Sequence, residues 1–266
     1  MFGFGAILVL AGRAAHLEAV RRQATAGFLD SEGTKQMKTI GLLGGMSWES
    51  TELYYRTLNE GVKKRLGSLH SARIVMFSFD FQEVLDVVEE AGWAATAELL
   101  ATKARHLEAA GAELLLLCSN TPHKVASQIA NAVHIPFLHI ADATGLRVRE
   151  RGIKTVGLLG TITTMEDDFY SGRLSAKYAL KVLTPPKEDR DLVHRVVFDE
   201  LVLGIVTEAS RRELLRIMGD LQTRGAEGVI EGCTELAMSV RQEHTEIPLF
   251  DTTALHVDQA LAIAFE

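Results

Sequence analysis

Two stretches decide how this chain is read: Lys38-Thr39-Ile40-Gly41-Leu42-Leu43-Gly44 and Lys154-Thr155-Val156-Gly157-Leu158-Leu159-Gly160. The second repeats the first 116 residues later. Gly111-Ala112-Glu113 returns as Gly225-Ala226-Glu227, and Ile135-Pro136 as Ile247-Pro248, at offsets of 114 and 112 residues. Three matches in one order at a nearly constant offset indicate duplication of a single unit.

Within each unit, short apolar runs alternate with helix-forming segments. The first unit reads as a strand at 39–43, a helix at 52–64, a strand at 73–79 and a helix at 95–110. Strands at 114–118 and 137–140 follow, separated by a helix at 125–132. The second unit reads as a strand at 155–159, a helix near 166–176, a strand near 179–183, one long helix over 191–222 and strands at 228–231 and 249–251. Such alternation gives parallel sheets with right-handed crossovers. The fold class expected is therefore α/β: two similar parallel-sheet lobes related by pseudo-two-fold symmetry, with the active site between them. The first lobe is expected over 37–145, joined by a C-terminal helix at 254–266, and the second over 146–253. Residues 1–36, an apolar run followed by arginines and a polar break, read as an extension outside the fold.

In parallel sheets, ligands sit beyond the C-terminal strand ends. Those ends carry Gly44-Gly45-Met46-Ser47, Cys118-Ser119-Asn120-Thr121, Gly160-Thr161 and Gly232-Cys233-Thr234-Glu235. Aligning the units on Gly-Ala-Glu sets Cys118 opposite Gly232 and Ser119 opposite Cys233. A symmetric pair of proton-transfer groups across a cleft suits inversion at carbon, which needs a base on one face and an acid on the other. A thiol at a helix N-terminus can have its pKa lowered to yield thiolate, and free N–H groups there can hold a carboxylate. Thr121-Pro122 reads as such a helix start.

These residues resemble the aspartate/glutamate racemase family, in particular the subgroup beginning Gly-Gly-Met-Ser-Trp-Glu-Ser-Thr, here residues 44–51. The resemblance runs from Met37 to the C-terminus. It includes Cys118-Ser119-Asn120-Thr121 with His123-Lys124, the stretch 139–144, Gly160-Thr161 and Gly232-Cys233-Thr234-Glu235. It implies a racemase of a small acidic amino acid, aspartate and glutamate not being distinguished. No pyridoxal phosphate or metal cofactor is implied. Cys233 would be one base and Ser119 the group opposite it, with Asn120, Thr121 and Thr234 binding the α-carboxyl and amino groups and Met46 lining the pocket. Many members carry cysteine at both base positions; serine at the first leaves a weaker acid there. A decarboxylase or cis–trans isomerase of a small dicarboxylate, needing a single thiol, is the alternative on the same scaffold.

The remaining signals exclude more than they assign. With 28 basic and 35 acidic residues the chain has a net charge of −7 and no basic run, so nucleic acid is not expected as a partner. No apolar stretch is long enough to span a bilayer. Two distant cysteines read as free thiols of a cytoplasmic protein. The Gly-rich turn at 41–47 matches no nucleotide fingerprint. Cys118 reads as core. His123 and Lys124 are candidates for the substrate's distal carboxylate or for a solvated helix face. Glu166-Asp167-Asp168 reads as a helix's acidic first turn, and Trp48, Tyr54 and Tyr55 as core and cleft wall. A homodimer is compatible with the sequence.

Overall fold

The computed structural model describes residues 37–266; the extension expected at 1–36 lies outside the described residues. Strand β1 (Ile40–Gly44) is apolar and buried along its whole length, as the central strand of a parallel sheet must be. It pairs with β2 (Ile74–Ser78) on one side and β3 (Leu114–Leu117) on the other, and β4 (Phe137–Leu138) completes the order β2-β1-β3-β4. Strands β5 (Thr155–Gly160), β6 (Lys181–Leu183), β7 (Val229–Gly232) and β8 (Leu249–Asp251) form a second parallel sheet in the order β6-β5-β7-β8. The two orders are the same when the units are superposed, as expected of a duplicated unit.

Helix α1 (Trp48–Leu66) starts at Ser47, whose hydroxyl accepts from the Ser50 N–H. It covers one face of the first sheet through Tyr54, Leu58 and Val62. Helix α2 (Phe81–Ala109) and α3 (Ala126–Asn131) cover the other face. Helix α2 begins fourteen residues earlier than its sequence suggests. Asp80 caps it, and Gly92, at φ 75°, breaks the helical pattern in its middle and hides the first half. In the second lobe, α5 (Ile162–Glu166) and α6 (Asp168–Tyr178) are followed by α7 (Lys187–Arg195) and α8 (Glu208–Thr223). The single long helix expected over 191–222 is thus interrupted. A π turn at Val196–Glu200 and a 3-10 turn at Leu201–Leu203 end on Gly204 in the left-handed region, where no helix continues.

The lobes exchange their last helices. Helix α4 (Ile140–Glu150) follows the first sheet but buries Ile140, Ala141 and Val148 with Val156, Leu158 and Ile230 of the second. Helix α10 (Thr252–Ala264) follows the second sheet and buries Val257, Ala260 and Leu261 against Ile40 and Leu114 of the first. The chain therefore crosses between lobes at His139–Ile140, ahead of residue 145, because the buried face of α4 fits the second core. Among the described residues, no helix is long and apolar enough to cross a membrane.

The turn after β1 is tight. Gly45 has φ 89°, and a Cβ there would lie 2.2 Å from the Phe79 carbonyl oxygen and 2.4 Å from its nitrogen. Both the left-handed backbone and the fixed neighbour oppose a side chain. Gly45→Ala is expected to destabilise the protein by about 2–4 kcal/mol, seen as a melting temperature lower by roughly 5–10 °C. A melting temperature within a degree of the parent would show that this turn has another way to fit.

Candidate active site

The ladder registers bring the two strand ends into correspondence. Leu43 pairs with Leu117 in the first sheet, and Leu159 pairs with Glu231 in the second. Ser119 and Cys233 each stand two residues beyond these equivalent rungs. Both line one cleft of about 140 Å3, with Met46, Asn120 and Thr121 from the first lobe and Thr161 and Glu235 from the second.

Cys233 is almost fully buried, and its thiol donates to Glu235 Oε2 at 3.0 Å. The Glu235 carboxylate is the hub of the site. It also accepts from the Thr234 hydroxyl at 2.9 Å and, through Oε1, from the hydroxyls of Ser47 and Ser50, each at 2.7 Å. Ser47 and Ser50 belong to the Gly-Gly-Met-Ser turn and the start of α1, so the first lobe clamps a carboxylate of the second. Burial pushes the Cys233 thiol pKa well above its usual value, and the neighbouring Glu235 charge raises it further. This corrects the expectation of a thiol acidified by a helix N-terminus. The segment after Cys233 enters only a four-residue helix, α9 (Leu236–Ser239), and a carboxylate stands where helix N–H groups were expected.

On the opposite wall, Asn120 is buried. Its Nδ2 donates to Thr252 Oγ1 at 3.0 Å, and Thr252 in turn donates to the Glu231 carbonyl at 2.8 Å. The Asn120 Oδ1 is buried with no protein donor. Thr121 is not the helix cap its sequence suggests. It opens a 3-10 turn, Thr121–Val125, and its hydroxyl bonds across the lobes with Thr161 at 2.9 Å and Thr164 at 3.1 Å. Thr161 is itself the cap of α5. The contact between lobes has taken the hydroxyl that a local cap would use.

Comparison with known proteins follows from this geometry. The family model described as Asp/Glu/Hydantoin racemase matches residues 43–260. The chain belongs to this family. A Yersinia pestis protein provisionally assigned as an Asp/Glu racemase shares 46% identity, with 86% of this chain and all of that one covered, at a TM-score of 0.81. An aspartate racemase homologue from Pyrococcus horikoshii OT3 shares 33%, over 86% of this chain and 100% of that one, at a TM-score of 0.77. Among curated proteins, the broad specificity amino-acid racemase RacX of Bacillus subtilis (strain 168) is 23% identical over 155 residues, 56% of this chain. The match spans about 63% of RacX's length. The two solved structures share the two-sheet α/β fold of this chain.

Other residues singled out in this racemase-family sequence are placed away from the cleft. Thr234 is buried behind it, its hydroxyl 2.5 Å from that of Ser50, and it borders a separate pocket with Trp48 and Arg241. His123 is buried. Its Nδ1 meets the Ser119 carbonyl at 2.8 Å, and its Nε2 accepts from the Ile140 N–H at 3.2 Å. Burial and the adjacent His139 and His256 hold its pKa well below the usual range, so the ring is neutral and braces the Ser119 loop. Lys124 pairs with Asp167 at 2.5 Å and lies over Trp93. Neither is available for a distal carboxylate. Cys118 is a free thiol buried among Ile40, Tyr54 and Leu138. Trp48 and Tyr55 are exposed rather than core. Glu235 was missed as a site residue although it lies in the Gly-Cys-Thr-Glu motif, because its partners Ser47 and Ser50 are some 185 residues away. The cleft wall formed by Val197, Phe198 and Val202 was missed because those residues read as part of one long helix.

Proposed function

We propose that this protein inverts the α-carbon of a free amino acid by proton transfer between Cys233 and Ser119, with no cofactor taking part. One observation carries the reading: a duplicated fold presents these two groups from opposite lobes to one small cleft. The Glu235 carboxylate takes the thiol proton, and the thiolate removes the α-proton from one face. The resulting enolate is then protonated from the other face by the Ser119 hydroxyl. Proton return through water resets the pair. The unpartnered Asn120 Oδ1 suits a substrate ammonium group, since a buried acceptor gains most from a charged donor. Thr121, linked to Thr161 and Thr164, sits where it can order the substrate carboxylate.

The two walls are chemically unequal. Among the described residues, no side chain bonds to the Ser119 hydroxyl, so no helper base raises its reactivity, whereas Cys233 has Glu235. The enantiomer whose α-hydrogen faces Cys233 should exchange it with deuterium readily, and its mirror image slowly. Ser119→Ala should keep first-turnover exchange on the Cys233 face and lower inversion about a hundredfold or more. Ser119→Cys should speed exchange from the slow enantiomer. The measurement is deuterium uptake and chirality from each pure enantiomer, with aspartate and glutamate heading the panel. Equal exchange from both enantiomers, untouched by either substitution, would remove Ser119 from the mechanism. Carbon dioxide release from malonates without α-exchange on any amino acid would favour the single-thiol reaction instead.

A further inference from the structure

The cleft that Ser119 and Cys233 line also has apolar walls, which form a chamber. Its first wall is the early part of α2, where Phe81, Val84, Leu85 and Val88 recur at helical spacing. Its second is the interrupted segment of the other lobe, through Phe198 and Val202. Phe81 and Phe198 stack across the gap with ring centroids 6.5 Å apart.

A stripe of this kind normally packs into its own core. Here Phe81, Leu85 and Val88 are only half-buried, because the opposite lobe stands off by the width of the cleft. The left-handed Gly92 lets this half of α2 depart from the line of the second half, and the π turn turns Phe198 to meet it. Two irregularities that broke the sequence-based reading therefore build one apolar chamber.

Among the described residues, no lysine or arginine lines the cleft. Besides Cys233, its ionisable side chains among the described residues are Glu235, whose carboxylate is taken up by Cys233, Thr234, Ser47 and Ser50, and His194. Burial lowers the His194 pKa, so its ring is neutral near pH 7. Lys124, which lies over the lining residue Trp93, is held by Asp167. The Thr96 hydroxyl donates to the Gly92 carbonyl at 3.1 Å, and the other hydroxyls of the lining, those of Ser119, Thr121, Thr161 and Thr163, carry no charge. A carboxylate entering here would lose its water and find Glu235 as its charged neighbour. A hydrocarbon group would lose nothing of the kind.

We infer that the chamber lined by Phe81, Leu85, Val88 and Phe198 takes the side chain of an apolar α-amino acid, of the leucine, methionine or phenylalanine class, in preference to an acidic one. The inference rests on the racemase reading for its turnover and on the cleft alone for its binding.

Two measurements keep these apart. The first is α-proton exchange and inversion by the full-length protein with leucine, methionine, phenylalanine, aspartate and glutamate. kcat/KM for the apolar set should exceed that for the acidic pair by about a hundredfold. The second is calorimetric binding of leucine and glutamate to Cys233→Ala, which cannot turn over. Leucine should bind at least about tenfold tighter. Leu85→Arg, at a half-buried helical position, supplies the missing cation. It should move the glutamate-to-leucine ratio of kcat/KM at least about tenfold toward glutamate. Faster turnover of aspartate or glutamate by the parent protein together with tighter glutamate binding to Cys233→Ala would overturn the inference while leaving the racemase reading intact. Tight leucine binding with no exchange on any amino acid would uphold the chamber and reject the racemase reading.

Discussion

Cys233→Ala is expected to lower inversion of the α-carbon by at least about a thousandfold and to stop deuterium exchange from the fast enantiomer. The thiol is the one group in the cleft with both a carboxylate partner at 3.0 Å and a place at the end of β7. The fold should survive the change. Cys233 packs with Leu159 and Leu236, and losing one sulfur atom there costs about 1 kcal/mol. Cys118→Ala is the control. It removes a sulfur from the core among Ile40, Tyr54 and Leu138, so stability falls by about 1–2 kcal/mol while most turnover remains. Reading both variants by chirality-resolved turnover and by thermal melting separates the two cysteines. If Cys118→Ala lost turnover and Cys233→Ala kept it, the repeat alignment that pairs Ser119 with Cys233 would be wrong.

Glu235→Gln should lower kcat/KM about a hundredfold for a different reason. Glutamine preserves the shape and can still accept from Ser47 and Ser50, but its amide nitrogen cannot accept the thiol proton. Its neutral side chain also removes the negative charge that holds the Cys233 pKa up. The sign is therefore distinctive: the thiol should become more acidic while the enzyme becomes slower. Iodoacetamide alkylation followed against pH reads the thiol directly, and its inflection should move to lower pH in the variant. Burial still raises the thiol, so the inflection should stay above that of a free cysteine. Lower turnover with no such shift would mean that Glu235 acts through the fold and not on the thiol. Unchanged turnover together with an unmoved alkylation curve would exclude Glu235 from proton transfer.

Much of the architecture was legible because it rests on local signals. The apolar runs at β1 and β5, each closed by glycine, can only be buried strands, and their recurrence shows that one unit was duplicated. Counting from Gly-Ala-Glu along each unit paired Ser119 with Cys233, and the ladder registers carry the same correspondence. Backbone hydrogen bonding and side-chain alternation repeat at short range, so they leave a trace in composition and spacing. Where a single residue interrupts that periodicity, the reading fails. Gly92 concealed the first half of α2, and Gly204 with its preceding π turn divided what looked like one long helix.

The sequence by itself thus determined two α/β lobes, the strand ends that face a common cleft and the family that carries these motifs. Only the tertiary structure decided which groups meet across that cleft. It set Ser47 and Ser50 on Glu235, tied Thr121 to Thr161 and Thr164, and turned His123 inward to brace a loop. It also brought Phe81 against Phe198 on the wall of a cleft that no lysine or arginine among the described residues lines. The physical reason is range. Strand and helix are written in neighbours a few residues apart, whereas the charge, polarity and pKa of a site depend on side chains brought together across the fold, from 40 residues apart for Thr121 and Thr161 to 188 for Ser47 and Glu235. No spacing rule along the chain records which of them will share the same few cubic ångströms.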